Sequence, residues 1–150
     1  MLSPDYRDIL SAFLEERVDY LVVGAYAVAS HGLPRATGDL DLWVRSDPEN
    51  ARRLWRALAK FGAPLLELTE SELSRPGLVF QIGVEPSRID ILTSIDGVEF
   101  DDAWKDRLEF EVDGLCVQVI GRAHLIANKK AVGRPQDLAD VARLETLSKK

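Results

Sequence analysis

The stretch "GAYAVASHGLPRATGDLDLWV", Gly24 to Val44, decides how this chain is read. Its last residues alternate acidic and apolar side chains before closing on Trp43 and Val44, and a period of two marks a strand. Successive side chains on a strand point to opposite faces. Asp39, Asp41 and Trp43 therefore share one face, while Leu40, Leu42 and Val44 point the other way into a core. Two carboxylates converging on a half-buried strand repel each other and resist loss of water, so the pair calls for a cation. Upstream, "DYLVV" is a short buried strand at Tyr20 to Val23. Gly24 breaks it, and an alanine-rich helix follows that stops at Gly32, before Pro34. A glycine at that turn lets a ligand come close, and the helix start offers free N–H groups to phosphate oxygens.

A third acid, Asp90 in "RIDIL", is flanked by Ile89 and Ile91 in the same alternating pattern, and a neighbouring strand would bring it beside the first pair. Carboxylates clustered in this way suit a hard divalent cation, which prefers oxygen ligands, and magnesium is the natural choice. Two such ions a few Å apart can activate an attacking oxygen and stabilise the leaving oxygen of a phosphoryl displacement. The plain alternative for an Asp-x-Asp pair is a solvated strand edge or an arginine partner. The order favours the former reading: a phosphate cradle, a short helix and loop, then a metal pair would hold a nucleoside triphosphate at both ends of its phosphate chain.

The remaining segments complete the frame. Ser3-Pro4-Asp5 caps a first helix ending near Arg17, and Asp47-Pro48 opens another that runs through Leu54, Trp55, Leu58 and Phe61 to Gly62. "ELTESELS" reads as a short helix. "GLVFQIGV" and "RIDILTSI" read as an antiparallel pair of strands joined by "EPS", and "LEFEVDGLCVQVIG" as a hairpin turning at Asp113-Gly114. Two helices follow, "RAHLIANKKAVG" and "PQDLADVARLETLSKK". A strand-helix-strand unit followed by neighbouring strands predicts an α/β (α+β) fold, a mixed sheet with flanking helices, in one domain over residues 1–150.

The 150 residues are 46% hydrophobic, enough for a sizeable core, and carry a net charge of −6. That balance lacks the basic footprint of a protein that binds nucleic acid mainly through phosphate neutralisation, although Arg35, Arg122, Lys129 and Arg134 could form a local patch. The single cysteine, Cys116, excludes an intrachain disulfide and reads as a core residue in a reducing compartment. No apolar run approaches the roughly 20 residues that span a bilayer, and the N-terminus is acidic where a signal peptide would be basic. A cytoplasmic protein with no membrane partner is expected.

Gly24-Ala25, the continuation through "GDLDLWV", the later "RIDIL" and "LIANKKAVGRPQDLADVARL" together resemble the nucleotidyltransferase fold of the DNA polymerase β superfamily. Among its branches the chain is most similar to the AbiEii-type nucleotidyltransferases of toxin-antitoxin systems. The resemblance implies Asp39, Asp41 and Asp90 as metal ligands and catalytic carboxylates, with Asp90 placed to assist deprotonation of an acceptor hydroxyl. It implies Gly24 and Ala25 against the triphosphate, Arg35 and Thr37 close by, and Lys129 supplying positive charge to the nucleotide. Ala25 departs from the Gly or Ser of the family pattern, which removes one hydroxyl donor and leaves the backbone donors in place. The implied reaction moves a nucleoside monophosphate from an NTP, with two magnesium ions, to a small molecule, protein or RNA hydroxyl. A cognate toxin or antitoxin partner is implied as well.

Other residues carry plainer readings. Arg134, Asp137 and Asp140 read as a structural group, with Arg134 pairing to Asp137. His31 complements the dipole of its helix, and His124 has no ligand spacing with it, so zinc is not expected. Trp43, on the acidic face, is a candidate for stacking a base. The competing class is a non-catalytic module that keeps the same fold. An Asp-x-Asp glycosyltransferase ranks last, since it would need a larger chain.

Overall fold

The structure, a computed structural model, describes residues 2–33, 38–84 and 87–148. Its sheet runs β3-β4-β2-β1-β6-β5 and is mixed, as the pattern predicts. The strands are β1 (Tyr20–Val23), β2 (Asp39–Val44), β3 (Val79–Ile82), β4 (Arg88–Leu92), β5 (Leu108–Val112) and β6 (Leu115–Val119). The three that matter most are central: β1 lies antiparallel to β2, and β2 lies parallel to β4. All four residues of β1 are buried, as a strand covered on both faces requires.

Helices α1 (Pro4–Glu15) and α3 (Pro48–Phe61) pack together, and each is started by a side-chain cap. Ser3 accepts from the Tyr6 N–H at 3.3 Å, and Asp47 accepts from the Asn50 N–H at 2.7 Å, satisfying donors that an uncapped helix start leaves unpaired. Helix α4 (Glu70–Leu73) carries a reciprocal capping box between Thr69 and Glu72. Tyr6, buried on α1, donates its hydroxyl to the Gly38 carbonyl, and the Arg88 carbonyl lies 3.1 Å from the same oxygen. Gly38 immediately precedes β2 and Arg88 opens β4, so one phenol sits where the strands that bear the acids begin.

Three sequence expectations change here. A helix α5 (Phe100–Lys105) stands where none was expected. Its Phe100 ring meets Trp43 edge-on at 5.0 Å between centroids and stacks on Trp104 at 5.5 Å. Trp43 is therefore 2% exposed and sealed beneath α5, which removes it as a base-stacking platform. Cys116 is exposed, not core. On the β5–β6 hairpin at the sheet edge only one face is covered, and alternation turns Val117 and Val119 inward, leaving Cys116 outward.

Helix α2 (Gly24–Ser30) follows β1 directly, and α6 (Arg122–Val132) and α7 (Pro135–Ser148) pack against each other. Among the described residues, no helix is long and apolar enough to cross a membrane.

Candidate active site

Strand register does most of the assembly. In the parallel β2–β4 pair Asp39 stands opposite Arg88 and Asp41 opposite Asp90, so four charged side chains meet on one face. Antiparallel pairing with β1 puts Asp41 across from Val23, immediately before Gly24. Gly24 has φ +67°, a conformation that L side chains rarely adopt, and a Cβ at this position would lie 2.2 Å from Asp41 Oδ2. The start of α2 thus rests against the Asp41 carboxylate, and no side chain caps that helix. The half-buried Ala25 is the next residue of α2.

Burial, reinforced by the charges of Asp90 and Asp39 and by a hydrogen bond with the Asp90 carboxyl, pushes Asp41 up to about 6. Arg88 opposes that shift. Its Nη2 donates to Asp39 Oδ2 at 2.8 Å, while its Nε lies 3.2 Å from Asp90 Oδ1. The guanidinium thus spans two of the three carboxylates. Sequence reasoning missed Arg88, although its position two residues before Asp90 on the same alternating face was the available signal.

Oxygen donors from Asp39, Asp41 and Asp90 suit a hard divalent cation in type and charge. They do not form a ready-made cage: among the described residues, no three acidic, histidine or cysteine side chains are gathered closely enough to hold a metal as they stand.

A cavity of about 260 Å³ adjoins Asp41, and Gly24, Asp96, Lys129, Arg134 and Asp137 are among the other residues that line it. Lys129 reaches it from α6 but is 6% exposed, with Nζ 3.3 Å from Asp137 Oδ1 and 3.0 Å from Asp140 Oδ2. Asp137 also accepts from Arg134 Nε at 2.6 Å, and this bond outweighs burial to hold its carboxyl below the usual range. The Lys129 charge is thus matched locally by two buried acids. Arg35 and Thr37 lie outside the described residues.

A larger cavity, about 490 Å³, lies between the end of α2 and the start of α6 and is lined by His31, Asp106, Arg122 and His124. It contains none of the three acids. His31 Nε2 is 2.8 Å from the carbonyl of Ile120, which fixes this ring to the backbone.

Asp39 and Asp41 on β2 and Asp90 on the adjacent β4 thus meet beside the glycine that opens α2, on a mixed α/β fold. Residues 3–150 match the family described as "Nucleotidyl transferase of unknown function (DUF2204)", and the chain belongs to that family. No curated protein matches it. Its fold is similar to that of a protein from Thermotoga maritima assigned as a nucleotidyltransferase, with TM-score 0.60 and 21% identity over 99% of this chain and 94% of that one. ANT(2")-Ia, solved with adenylyl-2"-tobramycin, gives TM-score 0.60 at 18% identity over 97% and 87% of the two chains. The lincosamide antibiotic adenylyltransferase LnuA, solved with lincomycin, gives 0.59 at 14% identity, covering 97% of each chain.

Proposed function

We propose that the protein is a magnesium-dependent nucleotidyltransferase that moves a nucleoside monophosphate from an NTP to an acceptor hydroxyl. The observation that carries this reading is the register of Asp41 against Asp90, with Asp39 on the same face and Gly24 closing on Asp41. Asp39, Asp41 and Asp90 would hold the metal. When bound, magnesium offsets the negative charge of the triphosphate and polarises the phosphoryl group.

The chain's own residues do the rest. Gly24 and Ala25 present backbone N–H groups to the phosphates without a side chain in the way. Asp90 accepts the proton of the acceptor hydroxyl as its oxygen bonds to the α-phosphorus. The bond from that phosphorus to the bridging oxygen breaks, and pyrophosphate carries away the electron pair. Lys129, which lines the cavity and is held by Asp137 and Asp140, would supply positive charge to the nucleotide. Arg35 and Thr37 are assigned to the triphosphate from the family resemblance.

A small hydroxylated molecule is the favoured acceptor, on two supports. The cavity beside Asp41 is compact, and the structures of ANT(2")-Ia and LnuA hold small antibiotics. A cytoplasmic setting is read from the lone cysteine. A toxin-antitoxin partner rests on the AbiEii-type resemblance, and co-purification from the native cell tests it. The non-catalytic module is the second reading, favoured by Ala25. Thermal melts separate the two: the enzyme is stabilised by magnesium plus an NTP, whereas an unchanged melting temperature with all four NTPs supports the module.

A further inference from the structure

The feature that the proposed reaction leaves unexplained is Arg88. It lies on the acidic face and is about one-third exposed, with its side chain directed along the sheet toward the acids. Its guanidinium contacts Asp39 at 2.8 Å and Asp90 at 3.2 Å, so it occupies oxygen positions that a divalent cation would need. A planar fork suits this bridging, because its donors reach two carboxylates at once where an ammonium offers a single point of charge.

Resting on the nucleotidyltransferase reading, we infer that Arg88 is the resident counter-ion of the metal-free site and exchanges with the divalent cation for the carboxylates of Asp39 and Asp90. The electrostatic sign follows directly. With Arg88 in place the three acids are partly neutralised and held together, so the protein avoids the full repulsion of an empty acidic face. A cation entering the site must displace the guanidinium and work against a neighbouring positive charge. Arg88 is thus a positioning residue that opposes binding of bare metal. Its contacts with the acids set a threshold that a metal–nucleotide complex, held also by Gly24 and Ala25, passes more readily than metal alone.

The test is manganese(II) binding without nucleotide at pH 8, followed by the electron paramagnetic resonance signal of the free ion, on the full chain and on Arg88→Gln, Arg88→Lys and Asp41→Asn. Removing the competing charge in Arg88→Gln should tighten manganese binding about tenfold, the scale of one charge-assisted contact. Arg88→Lys should fall between Arg88→Gln and the parent, and it serves as the readout if Arg88→Gln does not fold. Asp41→Asn should lose binding. An unchanged or weaker affinity in the Arg88 variants, with Asp41→Asn still losing the metal, overturns the role of Arg88 alone. No binding by any form, or equal binding by Asp41→Asn and the parent, overturns the metal-site reading and this inference together.

Discussion

Replacing Asp41 by asparagine should make the metal-free protein more stable at neutral pH, the opposite of the usual effect of altering a half-buried residue. Asp41 is pushed from an ordinary value of 3.8 to about 6, first by burial and then by Asp90 and Asp39. A carboxyl raised on folding binds its proton more tightly in the folded state, so ionisation of Asp41 destabilises the fold. The cost is absent below the unfolded value, grows as pH rises toward 6, and is complete above it. Two pH units correspond to about 3 kcal/mol, and the buried amide that replaces the carboxyl returns part of it. Asparagine keeps the shape and removes the charge. Urea denaturation of parent and Asp41→Asn without metal, from pH 4 to pH 8, should show near-equal stability at the acid end. The variant's advantage should grow to about 2 kcal/mol at pH 8. Groups remote from Asp41 titrate alike in the two proteins and cancel in the difference. A variant no more stable than its parent at pH 8, or a difference that does not change with pH, refutes the electrostatic account of the site.

Two further substitutions probe its frame. Gly24→Ala forces a side chain into a positive-φ position and against Asp41 Oδ2, and should cost about 1–3 kcal/mol by urea denaturation while abolishing stabilisation by magnesium and nucleotide. Lys129→Met leaves Asp137 and Asp140 buried without their lysine, and should lower stability by about 3–5 kcal/mol in the same assay.

Local periodicity made much of this molecule legible. The alternation in "DLDLWV" and "RIDIL" put each acid on a definite face, and the glycine break placed the helix start beside them. That Asp41 faces Asp90 depends on β2 lying parallel to β4, a pairing between distant segments that no local pattern encodes. Arg88 escaped notice for a related reason: it sits two residues from Asp90 on the same face, but its bridging role appears only once Asp39 stands across from it. The same limit explains Trp43, which alternation puts on the acidic face and α5 then covers, and Cys116, whose apolar sequence neighbours hide its place on a sheet edge. Lys129 was visible as a cation; its two carboxylate partners sit on the next helix, 8 and 11 positions further along the chain.

The central claim, that the acids of β2 and β4 drive transfer of a nucleoside monophosphate, is tested most directly by one incubation. The purified chain is mixed with magnesium, each α-³²P-labelled NTP in turn and an extract of native cells, beside an Asp39→Asn/Asp41→Asn double variant. Label carried onto an acceptor, with pyrophosphate released, by the parent and not by the double variant is the predicted result. Equal labelling by both proteins, or none with any of the four nucleotides, would contradict it.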